Sequence, residues 1–100
     1  MAKYFITNKA VEDLSNIWEY TLEIWSENQA DKYYEIICSA FDKISAAPEV
    51  GKSYPEIAEN ISGFRVNKHI IFYRVIKLKQ VEILRILHGS MDLKSRIIEE

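Results

Sequence analysis

The sequence predicts an α+β domain in the order β-αα-βββ: an antiparallel sheet packed on an α-helical hairpin, followed by a short C-terminal helix. Three observations predict it. Apolar residues recur at three- and four-residue steps from about residue 8 to residue 44, the period of helices with one buried face. From Gly63 onward the period drops to two, the mark of strands. A short β-branched and aromatic run, residues 2–6, precedes the helices and reads as a strand of its own.

The elements follow in order. Thr7 or Asn8 can cap the first helix, expected over about residues 8–25 with Val11, Leu14, Ile17, Trp18, Thr21 and Trp25 on its apolar stripe. Ser26-Glu27-Asn28-Gln29 fits a capping box, so a second helix starts almost at once. Its stripe is Ala30, Tyr33, Tyr34, Ile37, Phe41 and Ile44, and it stops before Pro48. So short a connection makes the pair an antiparallel hairpin. Residues 48–55 carry both prolines and Gly51 and read as a loop, with one irregular turn from Glu56 to Ile61. Phe64 and Val66 alternate with Arg65 and Asn67, then Ile70–Val75 and Val81–Leu87 follow, joined by turns at Asn67-Lys68 and Lys77–Gln80. That is an antiparallel meander. Simple alternation puts Ile83, Arg85 and Leu87 on one side of the last strand and Leu84, Ile86 and His88 on the other. Both sides are apolar, so the helices must cover one and the C-terminal segment or a partner the other.

Composition narrows the function classes. At 100 residues the chain has room for one domain, 1–100, and 48% hydrophobic with 28% charged residues predicts a folded, water-soluble one. No signal-peptide core or run of membrane-spanning length occurs, which predicts a cytoplasmic protein. One cysteine, Cys38, rules out an internal disulfide and a thiolate cluster and reads as a structural thiol. The net charge of −2 divides into −5 over residues 1–50 (four Lys/Arg, nine Asp/Glu) and +3 over residues 51–100 (nine and six). The second half is therefore the better face for an acidic partner, although so small a surplus also fits an ordinary solvated surface. Gly51-Lys52-Ser53 lacks the upstream glycine and preceding strand of a phosphate-binding loop. His69 and His88 have no further ligands at metal-binding spacing, and His88 with Asp92 would supply only two, so no metal is expected.

Asp13-Leu14, Ile17-Trp18 and Tyr20 of the first helix, the Phe64-Arg65-Val66 strand, Ile71-Phe72-Tyr73-Arg74-Val75, and above all Arg85-Ile86-Leu87-His88 with Met91-Asp92 carry a family likeness across essentially the whole chain. Together they resemble the ParE-type toxins of the RelE/ParE superfamily of bacterial toxin–antitoxin systems. The resemblance implies a type II toxin held inactive by a ParD-like antitoxin in a hetero-oligomer, with DNA met only indirectly through that antitoxin. It implies DNA gyrase as the target on the ParE branch and ribosome-dependent messenger RNA cleavage on the RelE branch. It implies no cofactor. A non-toxic interaction module is a third reading, and the fold alone does not choose among them.

Chemistry separates the first two. Cleaving RNA through its 2′-hydroxyl needs a general base, a general acid and cations on the phosphorane. The chain offers Arg65, Arg74 and Arg85 as cations, His88 as acid or base, and Glu56 or Glu59 as a further base. Alternation separates Arg85 from His88, and the dense Lys/Arg run of a ribosomal-RNA binder is missing. The expectation is therefore a toxin with no catalytic residue that acts by binding. Arg65, Arg85, His88, Met91, Asp92, Lys94 and Arg96 are its target-contact candidates. For Arg65 and Arg85 the plainer alternative is pairing with helix carboxylates, for His88 a hydrogen-bonded strand end, and for Met91 and Asp92 the start of the terminal helix. Trp18, Tyr20, Trp25 and Tyr34 cannot all fit inside so small a core and are the candidates for antitoxin contact.

Overall fold

The computed structural model describes residues 4–76 and 80–89, and shows strand β1 (Tyr4–Ile6), helices α1 (Asn8–Ile24) and α2 (Glu27–Ala46), and strands β2 (Lys52–Ser53), β3 (Ser62–Val66), β4 (His69–Val75) and β5 (Val81–His88). The C-terminal helix expected after Gly89 lies outside the described residues. Both helix starts are capped as the sequence requires: Ala10 N–H donates to Thr7 Oγ1 at 3.1 Å and Gln29 N–H to Ser26 Oγ at 3.2 Å. A three-residue 3₁₀ turn, Pro48–Val50, and the two-residue β2 occupy what the sequence presents as loop.

The five strands form one sheet in the order β1-β5-β4-β3-β2. The meander β2-β3-β4-β5 is antiparallel, and β1 joins β5 in parallel, with Tyr4 opposite Val81 and Ile6 opposite Ile83. Asn67 turns the chain between β3 and β4 at φ 54°, a left-handed conformation that asparagine tolerates. The turn between β4 and β5 is closed by Ile76 N–H to Gln80 O, 2.8 Å.

Simple alternation fails in β5. Phe72 lies opposite Arg85 but Tyr73 lies opposite Ile83, so Leu84 is the extra residue of a β-bulge. Ile83 and Ile86 consequently share the helix-facing core with Ile71, Tyr73, Ile37, Phe41 and Ile44, whereas Leu84 and Leu87 go to the opposite face. That corrects the pairing of Ile83 with Leu87 and of Leu84 with Ile86. The opposite face is covered by residues 54–61: Ile57 and Ile61 pack with Ile70, Phe72 and Leu87, and the Tyr54 ring stands edge-on to Phe72 at 5.2 Å.

The stripe of α1 keeps Leu14 and Ile17 but is displaced at its two ends. Ala10 and Leu14 are buried and Ile17 packs beside them, whereas Val11 and Trp25 are exposed. Tyr34 likewise leaves the α2 stripe and is exposed. Small Ala10 lets α1 approach the sheet closely, and the bulkier apolar residues are carried round to solvent.

Candidate functional site

The ends of β4 and β5 bring together side chains that are far apart in sequence. Antiparallel register sets His69, the first residue of β4, opposite His88, the last of β5. Their rings stand edge to face with centroids 5.4 Å apart and planes at 80°. Tyr33 reaches over from α2, its hydroxyl 2.8 Å from His69 Nδ1 and 3.1 Å from the Val66 carbonyl, to which it donates. Burial, and secondarily the neighbouring His88, holds the His69 imidazole below its ordinary pKa, and burial pushes the Tyr33 phenol up. Arg65 lies at the same end: its Nε–H donates to Asn67 O at 3.0 Å, and its Nη atoms stand 3.4 and 3.5 Å from where a Cβ on Gly89 would be. Gly89 itself is tied back by its N–H to Lys68 O, 2.9 Å. A phenol, two imidazoles and a guanidinium therefore share one end of the sheet.

Arg85 does not join them. Its side chain turns to α1, where Nε and Nη2 donate to the two carboxylate oxygens of Asp13 at 2.7 and 3.0 Å, with both side chains only 11% exposed. Pairing with a helix carboxylate is the plainer of the two sequence readings for this residue. Exposed Arg65 takes the Asn67 carbonyl instead, and Arg74 pairs across the strands with Glu82 at 2.7 Å.

The aromatic candidates lie on the helical hairpin or, for Trp25, at the end of its first helix, and not all on one flank of it. Tyr20 and Trp25 are 66% and 72% exposed and Tyr34 is 44% exposed, while half-buried Trp18 donates from Nε1 to Asp31 at 3.0 Å. Leu22 and Ile24 are exposed beside them. A second open surface runs between α2 and β3. Because β2 pairs only with Ser62 and Gly63, the outer edge of β3 from Phe64 to Val66 has no strand beside it among the described residues. Lys32, Ile36 and Lys43 of α2 flank that edge together with Arg65. Met91, Asp92, Lys94 and Arg96 lie outside the described residues.

Half-buried Cys38 has its thiol pKa raised, chiefly by desolvation, with a hydrogen bond from Tyr34 opposing and Asp42 adding to it. That favours the protonated, unreactive form. Gly51 is a packing requirement rather than part of a phosphate loop: a Cβ there would sit 2.1 Å from the Tyr73 hydroxyl. Among the described residues no three His, Cys, Asp or Glu side chains gather as for a metal, and no helix is long and apolar enough to cross a membrane.

His69 as the partner of His88 was not anticipated. The signal was present in the meander: one histidine opens a strand, the other closes the next, and matched antiparallel ends meet.

Comparison with known proteins fits this arrangement to one family. Residues 4–93 match the model of the ParE toxin of type II toxin–antitoxin systems, parDE. The chain is 29% identical over 92 residues to toxin ParE1 of Mycobacterium tuberculosis, covering 92% of this chain and 94% of the relative. It is 29% identical over 97 residues to toxin ParE1 of Caulobacter vibrioides, covering 97% and 99%. In fold it resembles a chain of the chromosomal ParDE toxin–antitoxin system of P. aeruginosa, with TM-score 0.76, 21% identity, and 90% of this chain and 98% of that one covered. It also resembles a chain of the RelBE2 toxin–antitoxin complex of Mycobacterium tuberculosis, with TM-score 0.62, 22% identity, and 87% and 96% covered. With a family model spanning nearly the whole chain, and a sheet and helical hairpin of matching architecture, this chain belongs to the ParE toxin family of type II toxin–antitoxin systems.

Proposed function

We propose that this ParE-family toxin acts by binding rather than by catalysis, that its target is DNA gyrase, and that a ParD-like antitoxin neutralises it. The observation that carries the non-catalytic reading is the Asp13–Arg85 pair. A cation able to stabilise a cleaving phosphate must be free to meet it, and Arg85 is instead held by both carboxylate oxygens of Asp13. Family membership supports the gyrase target. On this reading the target-contact surface is the His88 end of β5 together with residues 89–98, where Lys94, Arg96, Ile97 and Ile98 offer cationic and apolar groups.

The antitoxin reading rests on the two open surfaces. An amphipathic helix fits the apolar outer margin of the hairpin at Trp18, Tyr20, Trp25 and Tyr34. An extended acidic segment fits beside β3, where unpaired backbone and the cations Lys32, Lys43 and Arg65 meet.

One observation favours a second reading, ribosome-dependent RNA cleavage: Tyr33, Arg65, His69 and His88 place acid–base groups and a cation at one end of the sheet. Controlled expression in bacteria separates the two. Gyrase poisoning gives DNA-damage signalling with early translation intact and, with purified gyrase, trapped cleaved DNA. Rapid loss of translation with codon-positioned messenger cuts would transfer the function to the ribonuclease reading. Deleting residues 89–100 is expected to abolish growth arrest while antitoxin binding persists; full toxicity from a folded truncation would overturn the assignment of the target surface.

A further inference from the structure

The spacing of the two histidines at the sheet end also suits a role that neither toxin reading gives them, binding of a metal ion. In a zinc-class site each metal–nitrogen bond is about 2.0–2.1 Å, so each imidazole centroid lies roughly 3.2 Å from the ion, and a tetrahedral angle separates the two centroids by roughly 5.2 Å. The His69 and His88 centroids are 5.4 Å apart with no ion between them. Direct cross-strand pairing sets this spacing, so no backbone movement is needed to reach it.

The hydrogen bonding around His69 also suits a ligand. Tyr33 has one hydroxyl hydrogen, and it goes to the Val66 carbonyl at 3.1 Å. In the tautomer with Nδ1 protonated, the phenol oxygen accepts from His69 Nδ1–H across 2.8 Å and Nε2 keeps its lone pair for an ion. A metal-binding imidazole is ordinarily held in this way by a partner on its other nitrogen. His88 would supply one ring nitrogen to the ion in exchange for a present contact.

We propose that His69 and His88 form a two-imidazole site for a divalent transition-metal ion of the zinc class, with Tyr33 as the positioning residue. With His69 held by Tyr33, rotation of the His88 ring about χ2, a soft torsion for histidine, changes the present 80° between ring planes to a convergent arrangement. The remaining coordination positions hold water, which makes the site open and weaker than a four-ligand structural zinc centre. A bound ion would clamp the start of β4 to the end of β5, next to Gly89. This site goes with the binding reading of the toxin, since an ion held by both imidazoles would occupy the acid–base groups of the ribonuclease reading, and titration with the ion uses no toxicity readout.

The test is calorimetric titration of the EDTA-treated full chain with Zn²⁺, alongside nuclear magnetic resonance spectra with substoichiometric Cu²⁺. The expected result is one saturable ion per chain, with ring resonances of His69 and His88 broadened ahead of all others. His69→Gln and His88→Gln should each weaken binding at least tenfold, and Tyr33→Phe should weaken it severalfold without abolishing it. The copper measurement uses the unsubstituted chain and so holds even where a substitution disturbs folding. Absence of saturable binding up to about 0.5 mM Zn²⁺, a range that covers weak two-ligand sites, would overturn the proposal. So would unchanged affinity in the folded histidine variants, or broadening that spares both rings.

Discussion

Asp13 and Arg85 join α1 to β5 where strand pairing stops. The parallel partner β1 ends at Ile6, and among the described residues no strand lies beside the outer edge of β5 beyond Ile83. Thr7 takes over first, donating its hydroxyl to Leu84 O at 2.8 Å. Asp13 follows, accepting Ile86 N–H at 3.0 Å on the same carboxylate oxygen that Arg85 Nε meets at 2.7 Å. Helix side chains thus complete a ladder that the bulge and the short first strand leave open.

Removing one partner should therefore be costly. Asp13→Ala removes the carboxylate that the Ile86 amide and the nearly buried Arg85 guanidinium both use, for which a loss of about 3 kcal/mol is expected. Arg85→Met alone should also destabilise. The double variant Asp13→Ala with Arg85→Met should recover part of the loss, because no uncompensated charge remains. Urea unfolding of the four chains gives the coupling energy, and additive losses would show that the pair does not act as a unit.

A second prediction concerns Tyr73 and Gly51. The Tyr73 ring is buried, and its hydroxyl donates to the Pro48 carbonyl at 2.5 Å while lying where a Gly51 side chain would be. Tyr73→Phe should cost about 1–3 kcal/mol by leaving that carbonyl without its donor. Gly51→Ala should destabilise by a similar amount through overpacking, about 1–3 kcal/mol, and less in the Tyr73→Phe background, where the nearest clashing atom is gone. The pH dependence has a definite sign. Burial raises the Tyr73 pKa above its ordinary 10.0, so above that pH the unfolded chain releases a proton that the folded chain retains. Stability is then fully present below pH 10.0 and falls as the pH rises toward the folded-state value. Denaturant titrations at neutral and strongly alkaline pH should show this fall, diminished in Tyr73→Phe; a flat alkaline limb would refute it.

The helices were legible in the sequence because their signals are local. Thr7 and Ser26 cap helices within three residues of themselves, and Pro48 ends the second. The meander was legible because its turns are short and its period changes sharply at Gly63. What escaped depended on longer-range facts. A bulge at Leu84 leaves no mark in an almost continuously apolar strand, yet it moves Ile86 to the helix face and Leu87 to the other. The cover over Leu87 comes from Ile57 and Ile61, which sit in a stretch without periodicity. The site shows the same division. Residue types at the end of β5 stood out at once, whereas the ion pair of Arg85 with Asp13 and the meeting of His88 with His69 required the sheet register.

The last prediction concerns the far end of α1. Tyr20, Leu22, Ile24 and Trp25 are all exposed, so the final turns of this helix show apolar groups to solvent on several sides. Exposed large apolar side chains gathered in this way mark a surface that a partner ordinarily covers. If the antitoxin supplies that cover, Trp25→Ala should weaken its binding by roughly 2 kcal/mol or more, about thirtyfold, since large aromatics dominate such contacts. Tyr20→Ala should act in the same direction. Neither change should alter the stability of the isolated toxin by more than about 0.5 kcal/mol, because each side chain is mostly in water already. Phe5→Ala provides the control: Phe5 is 53% exposed but stands on β1, away from the hairpin margin, and its loss should leave antitoxin affinity unchanged. Surface plasmon resonance with the product of the adjacent antitoxin gene, paired with thermal unfolding of each toxin variant, measures both quantities. Undiminished affinity in Trp25→Ala and Tyr20→Ala would remove the end of α1 from the interface and leave the open edge of β3 as the remaining surface to test.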